Sequence, residues 1–192
     1  MGAEANGSLP RVEIHPMANT YLQTAFDIHI TPDEAALLAE CFEVADEIDC
    51  GIPGEELDAA RAYYDERSAA FRAAFPIRTD ENDPFAAFLD LWDDPEFPQF
   101  DADLSIRTAD DGPGAVALIS GHQVDVRAVA NLIQKTCPSA LPFGFEWACY
   151  CDRLRPGEHG GGYFVVTGTD IIGGSTGWLM SEALQSPDTR QP

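Results

Sequence analysis

Positive charge is what this chain has least of. Lysine occurs once, at Lys135, and arginine supplies the other ten cations against 33 acids, for a formal net charge of −22 on 192 residues. DNA, RNA and anionic membrane surfaces repel such a chain, so none of them is expected as a direct partner. No run of about 18 apolar residues occurs, which argues against a transmembrane helix. Met1 to Pro10 has neither a basic nor an apolar stretch, so no secretory signal is expected there. Cysteine is sparse and odd in number, five in all. That count suits reduced thiols and a cytoplasmic protein better than a disulfide framework. The phosphate-binding motifs Gly-x-x-x-x-Gly-Lys-Ser/Thr and Gly-x-Gly-x-x-Gly are absent, as is any nucleophile motif beside a histidine. No cofactor, metal or catalytic residue is therefore assigned.

The negative charge is concentrated. Thr31 to Asp111 holds 23 acids and five arginines, while the other 111 residues hold ten acids and six bases. Acidity imposed by a high-salt cytoplasm would coat every exposed face, so this asymmetry speaks against a halophilic origin. The apolar fraction of 45 % is enough for a real core. The length suits one domain with an enlargement.

Periodicity places the elements. Residues 1–19 form a polar, Pro-containing leader, with Met17 as an alternative to Met1 as functional start. Leu22, Thr24, Phe26, Ile28 and Ile30 alternate with Gln23, Asp27 and His29, which predicts a half-buried strand. Thr31-Pro32-Asp33-Glu34 opens a helix, with Thr31 as N-cap, Pro32 at N1 and Glu34 closing a capping box. A second helix is expected from about 55 to 75, then a short one capped by Asp83 with Phe85, Phe88, Leu89 and Trp92 at i, i+3, i+4 and i+7. A hairpin follows, turning at Asp110-Asp111-Gly112-Pro113-Gly114, then a helix over about 124–136 and an aromatic strand over about 142–152. Pro156 to Gly162 reads as a Gly-rich hairpin loop, Tyr163 to Thr167 as a return strand, and Gly173-Gly174-Ser175-Thr176 as the entry to a last helix. The order implies a single α+β domain over 20–186, with a ferredoxin-like antiparallel sheet and helices on one face. An acidic helical insert is expected over about 51–101, and a tail over 187–192.

The stretch Gly144-Phe145-Glu146-Trp147-Ala148-Cys149, Arg153, Gly160-Gly161-Gly162 and Phe164-Val165-Val166 resembles a C-terminal pattern of uncharacterised bacterial, phage and plasmid proteins. The resemblance covers roughly 112–186. It implies a fold and a bacterial or mobile-element origin, and carries no activity or catalytic residue across.

Several constellations invite chemistry. Cys149 and Cys151, with His159 or Cys137, could ligate a metal, but they share a strand face with Phe143, Phe145 and Trp147, and core packing accounts for them. His29, His122 and His159 could be general bases, yet none has a partner that the sequence names. The glycine clusters suit turns better than anion loops. Asp80, Glu81 and Asp83, or Asp90, Asp93 and Asp94, lack an EF-hand pattern.

The segment from Thr79 to Ile106 stands out, with nine acids and no base among interleaved aromatics. Aromatics at helical spacing can anchor in a partner groove, and surrounding carboxylates would steer the encounter with a basic surface. The competing reading packs those aromatics on the chain's own core. Asp90, Asp93 and Asp94 sit where a helix C-terminus disfavours negative charge, which suggests a use elsewhere. The sequence therefore predicts a non-enzymatic acidic protein that binds a basic protein surface. Its partner-binding residues would be Asp80, Glu81, Asp83, Phe85, Phe88, Asp90, Trp92, Asp93, Asp94 and Glu96. A nucleic-acid mimic that inhibits a DNA- or RNA-binding complex, of anti-CRISPR or anti-restriction type, is the sharper form. The alternatives are a small-ligand or enzymatic domain using the glycine loops near Tyr150, Arg153 and His159, and a protein whose acidity serves solubility alone.

Overall fold

The computed structural model describes residues 19–51, 57–79, 82–110 and 112–185. It is an α+β structure built on one six-stranded antiparallel sheet. The chain runs β1 (Thr20–Ile30), α1 (Pro32–Asp49), α2 (Leu57–Asp65), α3 (Ala69–Ala74), α4 (Ala86–Leu89), β2 (Asp103–Thr108), β3 (Ala115–Gly121), α5 (Val126–Thr136), β4 (Phe143–Cys151), β5 (Gly160–Val166), β6 (Ile171–Ser175) and α6 (Thr176–Gln185). All of the expected leader but Asn19, the tail, and the choice between Met1 and Met17 lie outside the described residues.

Helix α1 begins as its sequence dictates. Thr31 Oγ1 accepts from Glu34 N at 3.2 Å, and Glu34 Oε2 accepts from Thr31 N at 2.8 Å, closing the box. Glu34 reaches further: its Oε1 accepts from Ser139 N at 2.8 Å, tying the start of α1 to the turn after α5. Burial pushes this carboxyl up, but hydrogen bonds from Ser139 and Thr31 outweigh it and leave Glu34 below the ordinary carboxylate value.

The expected long second helix is two helices. Ser68 ends the first course and caps the next: its Oγ accepts from Phe71 N at 3.0 Å, while Ser68 N donates to Glu40 at 2.7 Å. A serine that caps a helix start and whose own N–H is taken by a carboxylate costs less as a break than as an interior residue.

Across the sheet the strands run β2-β3-β1-β4-β5-β6, each neighbour antiparallel. This six-strand order is not the ferredoxin-like one expected. The sheet continues past β4 into two strands that the sequence presents as glycine loop, single return strand and helix entry. Gly160, Gly161 and Gly162 lie inside β5, and Gly173 and Gly174 lie inside β6. Aromatic rings occupy the space that a Cβ would need. A Cβ on Gly162 would meet the Trp147 ring at 2.5 Å, one on Gly173 the Phe164 ring at 2.6 Å, and one on Gly174 the Tyr163 ring at 2.8 Å. Rings laid over strand glycines shield an otherwise bare backbone.

One face of the sheet is dry. Ile28, Ile30 and Ile119 from the strands, Leu38 and Val44 from α1, and Val129, Leu132 and Ile133 from α5 form one buried cluster. Tyr64, Phe71, Phe75, Phe85, Phe88, Trp92 and Phe100 belong to the same cluster. The 51–101 segment is therefore not a separate insert resting on the domain: its described residues supply part of the domain's core. Among the described residues, no helix is long and apolar enough to cross a membrane.

Candidate docking surface on the acidic layer

The acidic layer is built from rings inward and carboxylates outward. Phe88 is fully buried, with ring centroids 5.2 Å from Phe71, 5.0 Å from Phe75 and 5.3 Å from Trp92. Trp92 continues the chain of rings to Phe100 at 4.6 Å, and Phe100 to Phe42 of α1 at 4.8 Å. The Trp92 indole N–H donates to Gln99 O at 2.8 Å, and Asn131 on α5 donates to Leu91 O at 2.7 Å. The first bond closes the segment after α4 on itself, and the second fastens it to α5.

This packing corrects part of the expected partner surface. Phe85, Phe88 and Trp92 are 2 %, 0 % and 5 % exposed, so they hold the fold together and are not offered to a partner. Helical spacing was the right signal for an apolar face; only tertiary packing shows that the face turns inward. Helix α4 itself is a single short turn, Ala86–Leu89, and Asp90 is its C-cap. Phe97, in the loop after α4, is 68 % exposed.

The carboxylates have the opposite placement. Asp83, Asp90, Asp93, Asp94 and Glu96 are exposed, whereas Asp80 and Glu81 lie outside the described residues. Asp83 Oδ1 accepts from Phe85 N at 2.8 Å and Asp94 Oδ1 from Glu96 N at 3.2 Å, so both also organise local turns. Asp90 pairs with Arg78. Among the described residues, the other ion pairs of the acidic segment are Arg61–Asp65 and Arg107–Asp110, both between exposed groups. Most of the segment's described acids thus face solvent without a paired cation. At the edge of the layer, burial raises the Asp101 carboxyl, and the charges of Asp125 and Asp49 raise it further. Asp101 also holds a left-handed backbone, with φ of 50°.

The other sequence candidates separate. Cys149 is half-buried and Cys151 buried, and among the described residues no group of three His, Cys, Asp or Glu side chains could hold a metal. Burial pushes the Cys137 thiol up to about 11 and the Cys41 thiol higher still, which keeps both protonated. The glycine clusters lie within strands β5 and β6, with rings over Gly162, Gly173 and Gly174. His159 is exposed in the loop after β4. His122 lies elsewhere, at a hollow of about 580 Å³ lined also by Gln23, Asp103, Ser120 and Glu146. The hollow opens where β1 leaves β4. Their pairing ends at Gln23–Ala148, and the Thr24 hydroxyl then donates to Glu146 O at 2.6 Å. Sequence alone offered His122 without partners, because Gln23, Asp103 and Glu146 come from three other strands.

Compared with known proteins, the chain matches no family model, no curated protein sequence and no solved structure.

Proposed function

We propose that the protein is an acidic docking protein that binds a basic protein surface through the exposed carboxylates of its helical layer. One observation carries this reading: a continuous ladder of buried rings fastens the 83–103 segment to the core, while Asp93, Asp94 and Glu96 above it stay exposed with no paired cation among the described residues. Solubility needs scattered charge, not charge on a rigid support. Fixed carboxylates on a scaffold keep their spacing when a partner arrives and so lose little entropy on binding. They also speed encounter with a cationic groove. The sharper form of the proposal is a nucleic-acid mimic that occupies the Arg/Lys channel of a DNA- or RNA-binding protein.

The test is capture from bacterial lysate at about 50 mM and about 300 mM salt, across which the Debye length shortens markedly. The expected result is a basic nucleic-acid-binding protein held at low salt and released at high salt. The triple variant Asp93→Lys, Asp94→Lys, Glu96→Lys should lose it while keeping a cooperative melt and the native far-UV circular dichroism, since the turn bond of Asp94 to Glu96 N is lost but the buried rings beneath are untouched. Asp90 is spared because it pairs with Arg78. Capture by the triple variant equal to wild type at low salt would sink the proposal.

A second reading rests on the hollow at His122. Asp103 and Glu146 line it together with His122, and two carboxylates there would suit a small cationic ligand. Chemical-shift changes at Ser120 and Ala148 on titration with small amines would support it; no change up to about 10 mM, a concentration where even weak fragments bind, would end it.

A further inference from the structure

We propose that the C-terminal edge of the sheet, strand β6 with helix α6, is a self-association surface that pairs with a second copy of this chain. Helix α6 has no buried residue, and Trp178, Leu179, Met180 and Leu184 are 54 %, 47 %, 63 % and 73 % exposed. Ile172 on the adjoining strand is 55 % exposed. A ten-residue helix is marginal in water on its own propensity, so its stability must come from packing. Several large apolar side chains left exposed on one short helix and its adjoining strand mark a contact surface.

The strand beneath has the same character. Among the described residues β6 ends the sheet, with no strand paired to its outer edge. Its sequence, Ile171-Ile172-Gly173-Gly174-Ser175, has none of the Lys, Pro or inward charge with which sheet edges are usually blunted. Beside it a hollow of about 400 Å³ is walled by Trp147, Phe164 and Trp178, with Arg127 at the rim. An aromatic-walled socket of this kind takes an apolar side chain as an anchor.

Charge selects the occupant. From Gly160 to Gln185 the only charged residues are Asp170 and Glu182, in a chain of net charge −22. A basic partner is drawn to the acidic layer, where the field is strongest. A second copy is repelled from that layer, and meets the least like charge here. Two β6 edges related by a two-fold axis pair antiparallel and bring the two α6 helices to the same interface, an isologous contact that closes on itself.

Analytical ultracentrifugation of the full chain from about 1 to about 100 µM decides the matter, a range that spans dissociation constants of ordinary homodimers. The expected result is a species of twice the chain mass that tightens as salt rises from about 50 to about 300 mM, because salt screens the repulsion between copies. Met180→Glu with Leu184→Glu, and separately Ile172→Lys, should each weaken the dimer at least tenfold while the urea midpoint of the core stays at the wild-type value. These side chains are already exposed, so folding does not depend on them. Leu154→Ser, at a position 96 % exposed in the β4–β5 loop, should leave the mass unchanged. A monomer at about 100 µM, a dimer indifferent to both α6 and β6 variants, or a dimer that loosens with salt would each overturn the proposal. The Asp93, Asp94, Glu96 triple variant should not weaken this dimer, so failure here and failure of acidic docking are separately visible.

Discussion

The acidic helical layer and the β4–α6 region spend aromatic residues in different ways. In the layer, rings meet rings: Phe71, Phe75, Phe88, Trp92 and Phe100 are buried against one another, and charge is left outside. In the C-terminal sheet, rings meet glycines: Trp147 lies against Gly162, Phe164 against Gly173 and Tyr163 against Gly174. The first arrangement finishes its surface with carboxylates. The second leaves Ile172, Trp178, Met180 and Leu184 in water. Similar ring-rich sequences therefore finish with a charged face on one side and a nearly uncharged, apolar edge on the other. Ring-on-ring packing fills volume with apolar atoms and tolerates any solvated exterior.

Breaking the ring ladder should have the largest effect. Phe88→Ala removes a fully buried ring that touches three others, at a cost of about 3–5 kcal/mol. Since domains are stable by only about 5–15 kcal/mol, urea denaturation should show most of the stability gone. A wild-type urea midpoint would mean that the layer does not share the core.

Filling a glycine should cost less. A Cβ on Gly162 would sit 2.3 Å from Gly174 O as well as against Trp147, so Gly162→Ala should destabilise by about 1–3 kcal/mol and loosen the β5–β6 hairpin. Gly168 has nothing within 4 Å of its Cβ position, and Gly168→Ala is the neutral control. Equal melting temperatures for the two variants would remove the ring-on-glycine account.

The smallest effects are in pH dependence, and two carboxyls of the helical half should act with opposite sign. Glu34 is held below its ordinary value, so its contribution is present above the unfolded-state pKa and is lost as pH falls through the folded one. Asp101 is raised, so its cost is present at neutral pH and is relieved as pH falls below its raised value. Asp101→Asn should stabilise at pH 7 by less than about 1 kcal/mol, because solvent screens an exposed group. Asparagine also suits the left-handed backbone there. The gain should vanish below the ordinary aspartate value of about 3.9. Thermal melts at pH 3 and pH 7 check both signs: Asp101→Asn should raise stability only at the higher pH, and Glu34→Gln should lower it only there.

Much of the local structure was legible. The Thr31–Glu34 box, the alternation of β1, the turn before Gly114 and the apolar seam of α5 each depend on residues within a few positions of one another. The split at Ser68 was not, because the glutamate that rewards it, Glu40, is 28 positions away. Strand β6 was hidden because glycine lowers strand propensity, and the rings that compensate come from β5. At the candidate site, the carboxylates were legible as exposed groups, while the inward turn of Phe85, Phe88 and Trp92 was not.

By itself the sequence determined the charge and its segregation, the absence of an apolar span, and the helical and strand periods, since these are sums or short-range patterns along the chain. Only the tertiary structure decided which aromatic faces turn inward, that the glycine runs are strands, how six strands are ordered, and that the apolar residues of α6 remain uncovered. Those outcomes depend on which distant residues compete for the same volume, and a period of 3.6 or 2 specifies a face without specifying what it meets.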